Sequence, residues 1–394
     1  MVSKTAVILA GGLGERLKPL TELMPKALVP VNGIPMLGIL LNQLNKLKFE
    51  RIVVLSGYKS NLIVEYIESI PKINDVSVIV SPTEFTPAER LLDARKSIGD
   101  NFTLLYCDNY VPEFSKFENL TQESQCINML IQKRDFGNVK RISGNKILYT
   151  DGERSVDFPY VELGYVRISG KAFFEVLAQE VDLQSTFKNL SSKGLVAATE
   201  IGKEDLVSIS NLEKFNIQNQ GRYKLILDRD GIINRKMKPR EYLNCFEDFV
   251  PISENWDALK ILSDLNFDFI VATNQPGIAL GSVSIDFVQD FHEFLYSELM
   301  SFGINIYSFY VCQHHWEENC RCRKPQPGML LKAMDDFDIS PKKTMYIGDE
   351  EKDSAAARNA NIESLIINSD LSSHGDYINL LDAIPYIQSR FELH

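Results

Sequence analysis

The chain has 394 residues, of which 44% are hydrophobic and 24% charged, and its formal net charge is -11 at pH 7. This length predicts two globular domains, and the composition excludes a largely disordered chain. We expect a cytoplasmic protein with no nucleic-acid or membrane partner, because the chain is acidic and has neither an apolar run of about 18 residues nor a cleavable leader.

Strand and helix patterns alternate in the first half of the chain. Buried strands are predicted at residues 5–9, 51–55, 76–80 and 102–106, and helical periodicity between them is clearest over 35–48. Strands that alternate with helices in this way form a parallel α/β sheet.

A glycine-rich segment follows the first predicted strand. Residues 9–17 read LAGGLGERL, and Lys26 comes shortly after. Glycines let backbone N–H groups approach a phosphate, and Arg16 and Lys26 can neutralise a transferred phosphoryl group. The segment lacks the Gly-Lys-Ser/Thr of a Walker A loop, and Leu17 stands where a dinucleotide fingerprint has its third glycine. We therefore predict another kind of nucleotide loop, the alternative being a glycine-rich turn without a ligand.

Two motifs in this region resemble the opening of the sugar-1-phosphate nucleotidylyltransferases. They are AGGLGERLKPLT at residues 10–21 and PKALVPVNGIPM at 25–36, and the resemblance extends over residues 3–215. It implies a nucleotidyltransferase-type mixed sheet, bound Mg²⁺, and attack of a sugar 1-phosphate on the α-phosphorus of an NTP with release of pyrophosphate.

The same resemblance implies roles for individual residues. Lys26 stabilises the α-phosphate, Arg16 holds the leaving pyrophosphate, and Asp108 binds Mg²⁺. The residues implied to contact substrates are Gly11, Gly12, Gly14, Glu15 and Gly164. Apart from the resemblance, Asp108 follows a strand, where an open α/β sheet places ligands, or else it caps the next turn.

Two segments depart from the family pattern. Glu200 stands where the family has a second metal-binding aspartate, and we expect it to bind Mg²⁺ through its longer side chain. Residues 84–91, EFTPAERL, occupy the place of a Gly-Thr-Ala-Gly nucleobase loop and contain no glycine. GTP is the family-based expectation for the donor, and CTP remains the alternative.

A polar stretch at residues 211–222 is the predicted linker between domains at 1–218 and 222–394. A second alternating series follows, with strands predicted at 223–227, 268–272, 306–311, 344–347 and 364–367. We therefore predict two Rossmann-like α/β domains, the second with a parallel sheet.

Polar side chains end three strands of this second series, in LDRDG (227–231), ATNQ (272–275) and IGD (347–349). Asp228 can attack phosphorus to form an aspartyl phosphate, and Asp230 can protonate the leaving oxygen and later activate water. Thr273 can hydrogen-bond the phosphoryl group. Carboxylates at these strand ends favour Mg²⁺, and the predicted ligands are Asp228, Asp230 and Asp349.

A run of metal-ligand residue types follows the third strand of this series. Residues 312–325 read CQHHWEENCRCRKP. Two closely spaced ligand pairs separated by a short loop are typical of a structural zinc site, with Cys312, His314, Cys320 and Cys322 as predicted ligands and His315 as a substitute. Ordinary thiols or a disulfide are the alternatives. The other cysteines, Cys107, Cys126 and Cys245, are expected to be buried small hydrophobes.

The zinc loop, defined as residues 312–322, continues directly into Arg323 and Lys324. Lys324 can therefore be held as a fixed cation that bridges phosphate and nucleophile. Asp353 is predicted either to support the metal site or to cap the next helix.

Taken together, residues 222–370 resemble haloacid-dehalogenase-type phosphatases, and within them the heptose bisphosphate phosphatase branch. That resemblance implies that the zinc loop shapes the substrate pocket and that Arg323 and Lys324 contact phosphate. It also places Asn274 and Gln275 at the substrate. The short spacing from His314 to Cys320 resembles histidinol-phosphate phosphatases instead.

The two resemblances together imply consecutive reactions. A phosphatase acting on D-glycero-D-manno-heptose 1,7-bisphosphate supplies a sugar 1-phosphate, which a nucleotidyltransferase joins to a nucleotide for surface polysaccharide synthesis. The alternatives are CTP-dependent activation of another sugar or polyol phosphate, a histidinol-phosphate-type phosphatase, and a degenerate regulatory first domain. The sequence does not indicate an oligomeric state.

Overall fold

The computed structural model describes residues 4–71, 75–112, 126–180, 182–202, 205–368 and 376–392. The chain divides into two compact units. The first comprises Met1–Leu17 and Met24–Phe215, and the second comprises Lys18–Leu23 and Asn216–His394.

The strands of the first unit alternate with short helices and connecting turns. They are β1 (Thr5–Ala10), β2 (Pro30–Val31), β3 (Ile34–Pro35), β4 (Arg51–Ser56), β5 (Asp75–Val80), β6 (Asn101–Tyr106), β7 (Asn109–Tyr110), β8 (Ile127–Lys133), β9 (Val139–Ser143), β10 (Lys146–Tyr149), β11 (Tyr160–Ser169), β12 (Val196–Ile201) and β13 (Val207–Ser208).

Within the described part of the first unit, nine strands form one sheet in the order β5-β4-β1-β6-β11-β8-β12-β10-β9. Strands β5, β4, β1 and β6 run parallel, whereas β11 is antiparallel to both β6 and β8. The expected mixed sheet is confirmed. Residues Ala6, Val7 and Ile8 on β1 are fully buried, as expected for a central parallel strand with both faces covered.

The helices cover both halves of the chain. They are α1 (Leu20–Leu23), α2 (Met36–Lys46), α3 (Ser60–Ser69), α4 (Pro87–Ile98), α5 (Ala172–Leu177), α6 (Leu183–Ser192), α7 (Leu212–Gln218), α8 (Ser253–Asp264), α9 (Ile285–Ser301), α10 (Gly328–Asp336), α11 (Glu351–Asn359) and α12 (Leu380–Arg390). Of the helices in the described ranges, none combines the length and apolar character that a membrane span requires.

The second unit is built on a parallel sheet, which confirms the predicted fold class. Its strands are β14 (Tyr223–Leu227), β15 (Phe267–Asn274), β16 (Ile306–Cys312), β17 (Thr344–Gly348) and β18 (Glu363–Ile366). Their order is β16-β15-β14-β17-β18 in the portion that the structure describes, so β14 is central. Leu227 pairs with Val271 on one side and Ile347 on the other. The polar residues that follow these three strands therefore emerge at one edge.

Candidate active sites

Asp228 and Lys324 form the buried centre of the site in the second unit. Lys324 Nζ lies 2.8 Å from Asp228 Oδ2 and 2.9 Å from Asp353 Oδ1, and Lys324 is only 2% exposed. Its ammonium also donates to the Ala272 carbonyl at 2.9 Å and to Tyr346 Oη at 2.7 Å. Burial lowers the pKa of Lys324, but the two aspartates outweigh this and hold it above its ordinary value. The lysine is therefore a fixed cation beside Asp228.

Three carboxylates at this edge form a cluster that can hold a cation. One oxygen from each of Asp228, Asp349 and Asp353 lies within 4.8 Å of the others. Asp349 Oδ1 is buried and has no hydrogen-bond partner among the described residues, while Lys236 Nζ lies 2.6 Å from its Oδ2. Burial raises the pKa of Asp349 to about 6 and that of Asp228 to about 7, with Lys236 and Lys324 respectively opposing the rise. Hard carboxylate oxygens and an orphaned acceptor fit a divalent cation, which would favour the ionised forms.

Asp230, predicted as a metal ligand, directs its carboxylate elsewhere. Arg229 Nη2 lies 2.9 Å from its Oδ1, Asn234 Nδ2 donates to the same oxygen at 2.9 Å, and Gln275 Nε2 donates to Oδ2 at 2.9 Å. Burial raises the pKa of Asp230, but these donors, above all Arg229, bring it below its ordinary value. The structure thus places the Asp230 side chain in a separate hydrogen-bonded network, two residues after Asp228.

The Arg229 guanidinium is itself held from behind. It is 2% exposed, contacts His292 Nε2 at 3.2 Å and lies 5.2 Å from the Phe291 ring centroid. His292 stacks on Phe309 with ring centroids 4.3 Å apart, and burial, followed by the Arg229 charge, brings its pKa well below the ordinary value. The neutral imidazole can accept the Arg229 hydrogen bond.

The polar residues Asn274 and Gln275, predicted to contact substrate, line a pocket at the end of β15 and also bond with neighbouring residues of the site. Asn274 Oδ1 accepts from the Lys324 N–H, and its Nδ2 donates to the Lys324 carbonyl, both at 3.1 Å. These two hydrogen bonds fix the backbone of Lys324. The sequence did not indicate this contact. Gln275 Nε2 donates to Thr273 Oγ1 at 2.9 Å as well as to Asp230, so the predicted phosphate contact and the predicted acid/base residue share one amide.

The zinc loop brings four soft ligands together. Cys312 Sγ lies 3.7 Å from His314 Nδ1 and 3.7 Å from Cys320 Sγ, while Cys322 Sγ lies 3.2 Å from His314 Nδ1 and 3.5 Å from Cys320 Sγ. Sulfur atoms 2.3 Å from a tetrahedral zinc ion are separated by about 3.8 Å, so the spacing fits such an ion. The thiols are free rather than in a disulfide. His315 lies outside the cluster and caps the 3₁₀ turn Trp316–Glu318.

A pocket of about 300 Å³ opens beside Asp230 and Gln275. Its basic lining residues are Arg229, Lys236, Arg240, Arg323 and Lys352. Arg240 has φ of 71°, an uncommon backbone conformation for a residue with a side chain, and such positions are often found at ligand sites. Asp230, Glu241 and Glu350 also line it, so five cationic side chains face three carboxylates, an excess of positive charge that suits an anionic ligand.

In the first unit, Lys26 and Asp108 are in direct contact. Lys26 begins the 3₁₀ turn Lys26–Leu28, and its Nζ donates to Asp108 Oδ2 at 2.6 Å. Asp108 follows β6 and is 9% exposed. The structure therefore brings the predicted α-phosphate lysine and the predicted metal aspartate together at the carboxyl end of the parallel strands.

The chain beyond Glu200 returns to Asp108. Strand β13 pairs with β7, and the Ile209 N–H donates to the Asp108 carbonyl at 3.0 Å. Glu200 itself accepts a hydrogen bond from Arg141 Nη1 at 3.3 Å. The segment that follows Glu200 is thus hydrogen-bonded to Asp108 and β7. Arg141 is a basic partner of Glu200.

Gly164 also lies in this region. Its φ is 71°, and a Cβ there would lie 2.4 Å from the Tyr106 ring, so this position requires glycine. Its N–H donates to Glu162 Oε1 at 2.5 Å. Burial raises the pKa of Glu162 to about 7, the Gly164 N–H opposes the rise, and Asp108 adds to it. Glu162 is therefore a second carboxyl group near Asp108.

The predicted phosphate loop is open on one side. Gly12, Glu15 and Arg16 are exposed, whereas Gly11 is buried, and Gly14 has φ of 69°. Exposed backbone N–H groups and a cationic side chain on such a loop can approach phosphate oxygens.

Two residues at the second-unit site were not predicted from the sequence. Lys236 and Tyr346 are ordinary in their local sequence, and only the fold brings them to Asp349 and Lys324. Asp353 forms a capping box with Glu350, which is one of the two roles predicted for it, and its carboxylate also pairs with Lys324 and lies in the acidic cluster. Its position four residues after Asp349, at a helix start, was the available signal.

Two family models match separate parts of the chain. Residues 5–131 match the family model described as nucleotidyl transferase, and residues 289–367 match the haloacid dehalogenase-like hydrolase model. The structure of a UDP-glucose pyrophosphorylase complexed with UDP-glucose covers 55% of this chain and 97% of its own, with 14% identity and a TM-score of 0.49.

Two bacterial phosphatases are more similar in sequence. D-glycero-alpha-D-manno-heptose-1,7-bisphosphate 7-phosphatase of Campylobacter jejuni is 34% identical over 168 residues, which cover 43% of this chain and 95% of the relative. D-glycero-beta-D-manno-heptose-1,7-bisphosphate 7-phosphatase of Helicobacter pylori is 34% identical over 170 residues, or 42% and 96% of the two chains. The chain therefore belongs to the haloacid dehalogenase-like hydrolases through its second unit, joined to a nucleotidyl transferase domain in one bifunctional enzyme.

Proposed function

We propose that this enzyme catalyses two consecutive steps of nucleotide-sugar synthesis. The second unit removes the distal phosphate of a sugar bisphosphate, with D-glycero-D-manno-heptose 1,7-bisphosphate as the best-supported substrate. The first unit then transfers a nucleotidyl group, GMP from GTP, to the sugar 1-phosphate and releases pyrophosphate. The observation that carries the proposal is the buried Lys324–Asp228 pair at the end of the central strand, beside a cationic pocket.

The residues of the second unit support a two-step transfer. An oxygen of Asp228 forms a bond to phosphorus while the phosphorus–sugar oxygen bond breaks, and Asp230 gives a proton to the leaving oxygen. Asp230 then takes a proton from water, whose oxygen attacks phosphorus and releases inorganic phosphate from Asp228. An incoming phosphate dianion raises the pKa of Asp230 because like charges disfavour ionisation, which favours the proton-bearing form needed first.

Metal ions would be held by three separate sets of residues. Asp228 and Asp349 would hold Mg²⁺, which would supply charge neutralisation for the phosphoryl group, and Asp108 with Glu200 would do so in the first unit. Cys312, His314, Cys320 and Cys322 would hold a structural Zn²⁺. This zinc would fix the start of the segment that carries Arg323 and Lys324.

The substrate assignment draws on the pocket and on the two relatives. A bisphosphate places a second anionic group some distance from the reacting one, and the basic pocket lining suits such a group. The relatives are named for the alpha and the beta anomer at the same 34% identity, so both anomers belong in the test.

The nucleotide step is supported by the Lys26–Asp108 contact and by the open glycine loop. An ammonium at this position can stabilise charge on the α-phosphate as the sugar phosphate oxygen attacks. Consumption of an NTP supports a cytoplasmic location. Residues 84–91 contain no glycine, which keeps CTP as a donor to be tested beside GTP.

We expect the full-length enzyme to release one phosphate from either heptose 1,7-bisphosphate anomer and to leave a heptose 1-phosphate. Adding GTP should then release pyrophosphate. Phosphate and pyrophosphate are measured separately over a panel of sugar bisphosphates, histidinol phosphate and the four NTPs. Asp108→Asn should stop pyrophosphate release and leave phosphate release intact.

Other outcomes of this panel would contradict the proposal in different ways. Loss of the 1-phosphate instead of the distal phosphate would leave no sugar 1-phosphate for the first unit and would rule out the proposed sequence of reactions. Preference for histidinol phosphate would remove the sugar assignment, and pyrophosphate release with CTP alone would replace GTP. No pyrophosphate with any NTP would favour a regulatory first unit.

We expect Cys322→Ser to remove zinc and most phosphatase activity, because a closed tetrahedral site loses one of its four ligands. Zinc is measured by atomic emission on the purified chain, and pyrophosphate release should be unchanged. Cys245→Ser is the matched control, since Cys245 lies outside the cluster and a hydroxyl can keep its hydrogen bond to Asp248. Equal zinc content in the two variants would contradict the assignment of Cys322 as a ligand.

A further inference from the structure

Arg90 lies at the carboxyl ends of three adjacent parallel strands in the first unit. It belongs to residues 84–91, where the sequence departs from the nucleotidyltransferase pattern, and it is 3% exposed. Nη1 donates to the carbonyl of Ser56, the last residue of β4, at 2.8 Å and to Oγ of Ser81, which follows β5. Nη2 donates to the Gly11 carbonyl at 3.1 Å, after β1, and to the Thr83 carbonyl at 3.0 Å. One guanidinium therefore joins all three strand ends.

The guanidinium fits there because two glycines leave a slot for it. A Cβ built on Gly11 would lie 2.4 Å from Arg90 Cζ, and one on Gly57 would lie 2.4 Å from Arg90 Nη1. Neither glycine has a positive φ, so each is required by the close approach of the arginine rather than by its backbone conformation. The space left by the two glycines is therefore filled by the Arg90 guanidinium.

Helix stability does not account for an arginine at this position. Arg90 lies in the first turn of α4, which begins after the Thr86 cap, and a cation near a helix N-terminus opposes the helix dipole. Burial lowers the pKa of Arg90, while Glu84 and Glu89 oppose that change. A buried cation in an unfavourable helix position points to a role in the site.

The contact with Gly11 has a direct consequence for the phosphate loop. In a planar trans peptide, the carbonyl of one residue and the N–H of the next point in opposite directions. The Gly11 carbonyl accepts from Arg90 and also from the Tyr58 N–H at 3.2 Å, so its direction is fixed. The Gly12 N–H is thereby directed away from Arg90. Gly12 is exposed, and a Cβ on it would meet nothing within 4 Å, so this side of the loop has room for a ligand.

We propose that Arg90 is a positioning residue for nucleotide binding, which holds the Gly11–Gly12 peptide so that the Gly12 N–H faces the triphosphate of an NTP. The inference rests on the proposed function of the first unit. A positioning role for Arg90 gives residues 84–91 a function without glycines. This segment supplies a guanidinium that holds the Gly11 carbonyl on the side of the loop away from the ligand. Arg90 itself is buried and acts through the loop.

The test measures NTP affinity in the full-length chain. Arg90→Met should raise the Kd of each bound NTP, measured by calorimetry with Mg²⁺ present, by about tenfold to hundredfold, because hydrogen bonds from a charged donor are lost. The kcat for pyrophosphate release at saturating NTP should change much less than KM. Arg95→Met, on the same helix, is the matched control. The Kd of this variant for each NTP should equal that of the unchanged protein.

A second variant tests the same contact with the arginine retained. Gly57→Ala should displace the guanidinium and raise the NTP Kd in the same direction. Combining Gly57→Ala with Arg90→Met should weaken binding no further than the stronger single change, because both remove one contact. Should Arg90→Met fail to fold, as judged by scanning calorimetry, Gly57→Ala alone decides the outcome.

Three results would overturn the proposal: an unchanged Kd in Gly57→Ala, additive losses in the double variant, or a fall in kcat with unchanged Kd. Binding is measured without a sugar substrate, so failure of the proposed transfer reaction is distinguishable from failure of this inference. Phosphate release by the second unit should be the same in all variants, and scanning calorimetry reports whether the first unit is folded in each of them.

Discussion

Asp228→Asn should abolish phosphate release, by at least about 10⁴-fold, while pyrophosphate release and zinc content stay unchanged. The amide keeps the shape of the carboxyl group but cannot act as the anionic nucleophile. The position also contacts Lys324 at 2.8 Å and belongs to the acidic cluster, so the change removes the charge that both a lysine and a cation require. Single-turnover phosphate release is the appropriate measurement, because it detects slow residual chemistry.

The two proposed reactions use residues of different units, so pyrophosphate release serves as an internal control for this variant. We expect pyrophosphate release to depend on Lys26 and Asp108, which both belong to the first unit. Asp264→Asn, an exposed residue paired with Lys260 on α8, should leave both activities unchanged. Retained phosphatase activity in Asp228→Asn would exclude the aspartyl-phosphate pathway, and simultaneous loss of both activities and zinc would indicate misfolding.

Lys324→Met should remove phosphatase activity and also destabilise the second unit by about 3–5 kcal/mol, because Asp228 and Asp353 are left buried without their cation. Both tryptophans, Trp256 and Trp316, belong to the second unit, so fluorescence during urea unfolding follows this unit selectively. An alanine would add a cavity, whereas methionine keeps most of the side-chain volume.

The loss of stability should depend on pH with a defined sign. Burial already raises the pKa of Asp228 to about 7 in the folded protein, well above the value of an exposed aspartate, and removal of Lys324 raises it further. The folded state then binds a proton more readily than the unfolded state, so stability of the variant increases as the pH falls through that raised pKa. We therefore expect the difference from the unchanged protein to shrink at acidic pH.

A compensating change separates stability from catalysis. Adding Asp353→Asn to Lys324→Met removes one of the two unpaired charges and should restore part of the stability but none of the phosphate release. Full stability and full activity in Lys324→Met would contradict the placement of this lysine at the reaction centre. A loss of activity that Asp353→Asn restores would make the lysine purely structural.

Local motifs carried much of what could be predicted. The parallel strands of the second unit, and the aspartates that follow β14 and β17, were readable because a buried strand and the polar residue after it are adjacent in sequence. The same holds for the four clustered ligands of the zinc loop, which lie within eleven residues. Strand order was not readable in this way. Order depends on pairing between strands far apart along the chain, and only the structure gives it.

The hydrogen-bond partners of side chains at the strand ends could not be predicted from the sequence. Asp230 was expected to share the metal site with Asp228, but its carboxylate bonds with Arg229, Asn234 and Gln275 instead. Asn274, which was expected at the substrate, lines the pocket, and its amide also pairs with the backbone of Lys324, a contact that the sequence did not indicate. A sequence position determines where a strand ends, whereas neighbouring donors determine which way the side chain at that end turns.

The sequence by itself determined the two α/β units, the glycine loop, the strand-end aspartates and the cysteine–histidine cluster, because each depends on periodicity or on residues close together along the chain. Only the tertiary structure decided that Asp353 pairs with Lys324, that Lys236 pairs with Asp349, and that the slot between Gly11 and Gly57 holds Arg90. These contacts join segments tens of residues apart, and their energies come from burial and charge that exist only after the strands have assembled.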